Sequence, residues 1–190
     1  MQTPSFGTYE ELVEQAGQFH GDICHGIKIG TRMTMAGLRR IGITDPKGAD
    51  RKKLMVFVEI DRCTTDAIMA LTGCRPGKRT MKIRDYGKMA ATFINLETNT
   101  AFRVVVKGNR KQGENGGEEP DFATLPEEEL FTINEVAVPL RPEDMPGKPL
   151  SRVPCARCGE TVMDGREVRD GERVLCVPCS AAVDYYRITD

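Results

Sequence analysis

Histidine is scarce in this sequence, with two residues in 190, and long apolar runs are missing altogether. No stretch approaches the roughly 20 apolar residues that a membrane-spanning helix needs. The N-terminal MQTPSFGTYEELVEQ has neither the basic start nor the apolar middle of a signal peptide. The protein is therefore expected to be cytoplasmic, with reduced thiols and no membrane partner. Charge of one sign is also lacking: 27 Lys and Arg oppose 28 Asp and Glu, for a formal net charge of −1, and no long single-sign block appears. That balance makes nucleic acid a poor default partner. No fixed period marks a repeat architecture.

What remains is a chain of the size of one ordinary domain, or of one domain with a small appendage, and 39% hydrophobic residues are enough for a real core. Seven cysteines in a reducing compartment suggest metal or redox chemistry more than disulfide staples. They fall into two groups, Cys24, Cys63 and Cys74, then Cys155, Cys158, Cys176 and Cys179. Between the groups, Arg141 to Pro154 carries prolines at 142, 146, 149 and 154, which can continue neither a helix nor a central strand. This reads as a semi-rigid linker. The expected organisation is a core over 1–140, the linker over 141–154 and a four-cysteine module over 155–190.

Within the core, Thr8 to Glu11 reads as a capping box opening a helix with Leu12, Ala16 and Phe19 at helical spacing. A second helix is expected from about Cys24 to Arg40. Its glycines at 26, 30 and 37 cost helix propensity and predict a close approach to the backbone. LMVFVEI, Leu54 to Ile60, has the composition of a strand buried on both faces. CTTDAIMALTG predicts a helix that begins at Cys63 and is closed by Gly73. TMKIRD, GKMAATFINLE and AFRVVVKG predict further strands, the last two joined by a turn at TNT, and Gly108 to Pro120 predicts a polar, mobile loop. A short helix near PEEEL and a strand in FTINEVAVPL complete an α+β core, since the antiparallel hairpin argues against an all-parallel sheet.

Cys155, Cys158, Cys176 and Cys179 form two C-x2-C pairs separated by seventeen residues, the spacing of a closed tetrahedral zinc site. Asp170-Gly171 is expected at the tip of a two-residue type I′ hairpin that brings the pairs together. PCSAAVDYYR, opening with Pro178, is expected to continue as a helix. Knuckle, hairpin and helix are the parts of a treble-clef zinc finger. Four thiolates leave no open position, so the zinc is expected to hold together a module too small for its own core. Ser151 to Asp190 contains six Arg, no Lys and seven acidic residues, which argues against nucleic-acid binding by the finger.

FHGDICHGIKIG gathers both histidines, His20 and His25, and Cys24 into six residues ahead of a helix. Cys63 begins another helix and Cys74 lies in the turn that ends it. Helix starts stabilise anions, so Cys24 and Cys63 are expected to have depressed pKa values and to serve as nucleophiles or ligands. On composition alone, each lone cysteine has the equal reading of a small buried hydrophobe.

FHGDICHGIKIGTRM followed by CTTDAIMALTGCRPGKRTMKIRDYGKMA resembles the FmdE family, named after the FmdE subunit of formylmethanofuran dehydrogenase. The resemblance covers most of the core, and some members of that family also carry a C-terminal treble-clef finger. It implies a mixed five-stranded sheet flanked by helices, loosely thioredoxin-like, and a metal-binding active site. Carried over by position, its motif falls on His20, Cys24, Cys63, Asp66, Cys74, Asp85 and Lys88. His20, Cys24 and Cys63 are then the expected core metal ligands, with Cys24, Cys63, Asp66 and Cys74 the candidate catalytic set and Cys74 a further ligand or redox partner. Where family members commonly read H-G-H-x-C-P-G, this chain has Asp22 and His25. Asp22 is a harder, oxygen ligand. His25 is a substitute ligand, a proton carrier or, as the expectation, a solvent-facing side chain.

Asp66 is expected either to orient a ligand or to play no part, and Asp85 to cap a turn. Lys78 and Lys88 hold an anionic group or are plain surface charges. Glycines 26, 30, 73, 77 and 87 keep backbone near a small ligand or make tight turns. The chain shows no pterin-binding signature, no ferredoxin-like cysteine run and no G-x-G-x-x-G loop, so it is not expected to carry a dehydrogenase's redox cofactor itself. Two functions stand. One is a zinc or other metal protein, accessory to or homologous with the dehydrogenase of one-carbon metabolism in anaerobes, acting on a small molecule. The other is a non-catalytic module whose finger docks a partner of the dehydrogenase complex or completes a homodimer.

Overall fold

The computed structural model describes residues 7–108 and 121–181, so nearly all of the loop expected over Gly108 to Pro120 lies outside the described residues. The chain divides into two compact units, Met1–Pro139 and Leu140–Asp190.

In the first unit Thr8 caps helix α1 (Tyr9–His20) through both halves of the expected box: the Glu11 amide donates to Thr8 Oγ1, and the Thr8 amide donates to the Glu11 carboxylate. Helix α2 (His25–Arg40) starts from Cys24 as its N-cap. Strand β1 (Leu54–Val58) leads to helix α3 (Cys63–Thr72), closed by Gly73 at φ 68°. A 3₁₀ turn at Pro76–Lys78 precedes β2 (Met81–Ile83), followed by β3 (Ala90–Asn95) and β4 (Thr100–Val106). Helix α4 (Glu127–Leu130) and β5 (Phe131–Glu135) complete the unit. The sheet order is β2-β1-β3-β4-β5, with β2 parallel to β1 and the other pairs antiparallel. It is the expected mixed five-stranded α+β arrangement. The β3–β4 turn is wider than TNT, because Asn95 pairs with Thr100 and Asn95 Oδ1 accepts the Glu97 amide at 3.0 Å.

Strand alternation sends Leu54, Val56 and Val58 of β1 into one cluster with Ile29, Met33 and Leu38 of α2 and Phe93 of β3. Met55, on the opposite face, is also fully buried, as the unbroken apolar run predicts. The helix glycines set how closely α2 can pack. A Cβ at Gly37 would sit 2.2 Å from the Phe93 ring, and one at Gly30 would sit 2.8 Å from Ala67 Cβ and 2.9 Å from Thr64 Cα of α3. The close approach expected from the glycines is therefore made by a helix and an aromatic ring of the same chain. Arg32 fastens α2 to the returning chain by donating to the carbonyls of Phe122, Ala123 (2.9 Å) and Leu125 (2.8 Å).

The second unit holds two small hairpins, β6 (Arg152–Pro154) with β7 (Thr161–Met163) and β8 (Val168–Asp170) with β9 (Arg173–Leu175), then a single turn α5 (Val177–Ser180). The β8–β9 tip is displaced by one residue from the expected Asp170-Gly171. Asp170 pairs with Arg173, so Gly171-Glu172 forms the loop. Gly171 has φ 63° and Glu172 has no positive φ, the pattern of type II′ and not of type I′. Ala181 is extended, and the longer helix expected through Tyr185 and Tyr186 lies outside the described residues from 182 onward. Among the described residues no helix is long and apolar enough to cross a membrane.

Candidate metal centres

The core group is assembled by three helix ends. Gly21, at φ 109°, ends α1 by donating to Gly17 O. Ile23 then folds back against Gly17, where a Cβ would meet its side chain at 2.5 Å. This hydrophobic closure of a helix C-terminus turns the chain within four residues and delivers Cys24 to the start of α2. Cys63 comes from the start of α3, and it fits because residue 26 is glycine: a Cβ there would lie 2.8 Å from Cys63 Cβ. As a result the ligand atoms of His20, Cys24 and Cys63 all lie within 4.8 Å of one another, and each residue is half-buried.

Asp66, one turn along α3 from Cys63, accepts a 2.8 Å hydrogen bond from His20 Nδ1. A proton on Nδ1 satisfies this bond and leaves the Nε2 lone pair for a metal, the carboxylate–histidine arrangement that orients an imidazole ligand. Asp22 is exposed, with its carboxylate 3.5 Å from His20 Nε2, so an oxygen donor stands beside the same nitrogen. The expected depression of thiol pKa at the helix starts is not found at Cys63. The neighbouring Cys24 thiol and desolvation push it up instead. The proximity of a second sulfur outweighs the helix end, and a cation between the sulfurs would reverse the balance.

Cys74 does not join this group. It lies beyond the opposite end of α3, whose ten residues at about 1.5 Å each separate it from Cys63. It is 3% exposed, with Sγ 3.9 Å from Leu54 O, and burial pushes its thiol pKa up. A buried, protonated thiol in the apolar core suits neither the ligand nor the redox role expected for it. His25 is half-buried, its ring edge-on to Phe122 at 5.0 Å, and so differs from the solvent-facing expectation. Asp85 caps its turn by accepting the Gly87 amide at 3.0 Å. Lys88 is exposed, and its charge reaches Glu59. Gly73 and Gly87 take positive φ in turns, while Gly26 and Gly30 make room for α3.

The second cluster is Cys155, Cys158, Cys176 and Cys179, again with all sulfurs within 4.8 Å. Cys155 follows β6 and opens a knuckle in which its amide donates to Glu160 O and its carbonyl accepts Gly159 N, both at 2.9 Å. Cys176 caps α5, and the Cys179 amide returns to Cys176 O at 3.0 Å. The backbone N–H of Cys158 holds the Cys155 thiol down to about 6, while the adjacent Cys176 pushes Cys179 up to about 12. Four sulfurs this close repel further ionisation unless a cation sits among them, and their number and chemistry fit a closed tetrahedral Zn²⁺.

A mixed-sheet core with a His/Cys2 group, followed by a four-cysteine finger, defines a two-unit protein with metal-ligand chemistry in both parts. The chain belongs to the FmdE family, described as "FmdE, Molybdenum formylmethanofuran dehydrogenase operon", whose model matches residues 19–132. Residues 148–185 match the "Prokaryotic dksA/traR C4-type zinc finger". A curated relative from Archaeoglobus fulgidus, "Probable S-adenosyl-L-methionine-binding protein", is 27% identical over 93% of this chain, which spans 54% of that relative's length. The crystal structure of a protein from Syntrophus aciditrophicus that resembles the FmdE component of tungsten formylmethanofuran dehydrogenase aligns over 98% of this chain and 100% of its own, with TM-score 0.57 and 24% identity. This last likeness is one of fold.

Proposed function

We propose that the core is a metal site in which His20 Nε2 and the Cys24 and Cys63 thiolates hold one borderline metal, zinc or a similar ion, with a position open to a small molecule. The observation that carries this is the joint placement of the three ligand atoms within 4.8 Å, with Asp66 already bonded to the ring nitrogen that a metal does not need. Two sulfurs on one tetrahedral zinc stand roughly 3.8 Å apart, so the group needs only a small adjustment to close on an ion. Three protein ligands leave the fourth position for water or substrate, in contrast to the four-cysteine finger. The role that follows is that of an accessory or stand-alone metalloprotein related to the FmdE component of the dehydrogenase, in cytoplasmic one-carbon metabolism. S-adenosyl-L-methionine, the ligand in the archaeal relative's name, is the first small molecule to titrate, since its amino and carboxylate groups can chelate an open metal position.

The deciding experiment is metal content per chain after anaerobic purification, for the wild type and for Cys24→Ala, Cys63→Ala. Two metals falling to one supports the core site; one metal in both confines metal to the finger and removes the reading.

A second reading has its own support. Of the exposed large hydrophobic side chains, Met145, Leu150, Met163, Val168 and Val177 belong to the smaller unit, with Leu150 64% and Val177 56% exposed. Apolar exposure on so small a module suits docking onto a partner protein or a second copy of the chain. Sedimentation of the full chain against a Leu150→Ser, Val177→Ser variant tests the homodimer: equal sedimentation coefficients of a monomer exclude it.

A further inference from the structure

We propose that a basic cleft in the core, lined by none of the residues of the two metal-ligand clusters, binds a small phosphorylated organic molecule, with its phosphates on the lysines and arginines and its apolar part against Phe19 and Met69. The cleft encloses about 810 Å³ between the second half of α1, the end of α3 and the loops over 46–52 and 73–80. Ligand pockets typically span about 300–1,000 Å³. Lys47, Arg51, Lys52, Arg75 and Lys78 line it, and no Asp or Glu among the described residues does. In a chain of net charge −1, five cations on one concave wall are a local excess that focuses positive potential where an anion would enter.

None of the five makes an ion pair with a described residue, although other basic side chains of the core do, Lys53 with Asp50 and Glu97, Arg39 with Glu127 and Arg103 with Glu59. Helix termini do not account for so many charges. The carbonyl end of α3 opens onto the cleft, and it favours a nearby cation only within the last turn. Lys47 runs past it, with its Cγ 3.6 Å from where a Cβ on the capping Gly73 would stand. The other four are left over. Desolvation lowers the pKa of Lys47, a cost that an anionic ligand would offset. Phe19, 45% exposed, and the half-buried Met69 offer an apolar wall beside the charges, which free phosphate would not use and an organic phosphate would.

The test is calorimetric titration of the full zinc-loaded chain at low salt with ADP, inorganic pyrophosphate and adenosine. The proposal expects ADP to bind more tightly than pyrophosphate and adenosine not to saturate. It expects Lys47→Gln, Arg75→Gln, Lys78→Gln to weaken ADP at least tenfold with unchanged metal content and thermal midpoint, and Lys107→Gln to change nothing. Phe19→Ser should weaken ADP and leave pyrophosphate as it was. The Cys24→Ala, Cys63→Ala variant should bind ADP like the wild type, which separates this site from the core metal group. Absence of saturable binding, indifference to the triple substitution, or loss of binding in the cysteine variant would each overturn the assignment. So would tighter binding of a short single-stranded oligonucleotide with the same dependence on the triple substitution.

Discussion

Asp66 shows how one side chain gives a ligand group its direction. By accepting from His20 Nδ1, its carboxylate fixes the ring that both sulfurs, Cys24 and Cys63, face. Removing such a partner typically costs 10- to 100-fold in metal affinity. If the proposed core site holds a metal, Asp66→Ala is expected to weaken its binding by about that factor, read by competition with a chromophoric chelator, while the finger keeps its ion. Glu59 makes a different residue-scale case. It is buried, and its two oxygens accept from Arg103 Nε and Nη2 at 2.6 and 2.7 Å. The bond to Arg103 holds its carboxyl below the ordinary value. A folded-state pKa below the unfolded one contributes stability that is complete above the unfolded pKa, near about 4.3, and is lost as pH falls through the folded value. Arg103→Met should destabilise the core by about 2 kcal/mol at pH 7, and the loss on going to pH 3 should shrink in the variant. Urea midpoints at the two pH values measure both.

At the scale of elements, the α2–α3 contact sets where Cys63 stands. Gly30→Ala illustrates the competing terms. Alanine favours a helix by about 0.8–1 kcal/mol over glycine, but the added Cβ would meet Ala67 Cβ at 2.8 Å, Thr64 Cα at 2.9 Å and Thr64 O at 3.1 Å. Two of these neighbours are backbone and cannot swing away, and overpacking of this sort costs about 1–3 kcal/mol. Packing is expected to win, with a lower urea midpoint and a weakened core metal together; an unchanged midpoint would mean that α3 yields freely. The sequence signalled this contact only in part. Glycines at 26, 30 and 37 announced a close approach, because their local cost needs a tertiary reason, but not whether a helix or a ligand comes near. Cys24 and Cys63 were readable as helix starts, and the box at Thr8 and Glu11 was readable to the atom, since both depend on neighbours in the chain. Cys74 misled for the same reason in reverse: it belongs to the same motif as Cys63, but α3 carries the two to opposite ends. The basic cleft was invisible for want of proximity, as 47–52 and 75–78 become one wall only when α3 and its flanking loops are folded. At the β8–β9 tip, Asp170-Gly171 had the right composition, and pairing of Asp170 with Arg173 shifted the loop by one.

At the scale of the molecule, the two units rest on different foundations, and metal removal should separate them. The first unit has a sheet and four helices around Phe93, Met33 and Leu54, all fully buried, and its core includes none of the four finger cysteines. The finger's own apolar cluster is Cys155, Leu175 and Cys176, with Val162 and Cys179 partly buried against them. Three of those five are sulfur ligands, so the ion and the core of the unit are nearly the same object. Structural zinc supplies about 10–16 kcal/mol in modules of this kind, which their few apolar contacts cannot replace. A chelator strong enough to take the finger zinc is expected to abolish amide protection in β6 to β9 while β1 and β3 stay protected, as read by hydrogen exchange and mass spectrometry. Cys176→Ser should give the same pattern without chelator, because it removes one of the four thiolate ligands while serine still suits the start of α5. Protection lost together in β1, β3 and the finger would instead mean that the core draws its stability from the finger, against the separation of their apolar clusters.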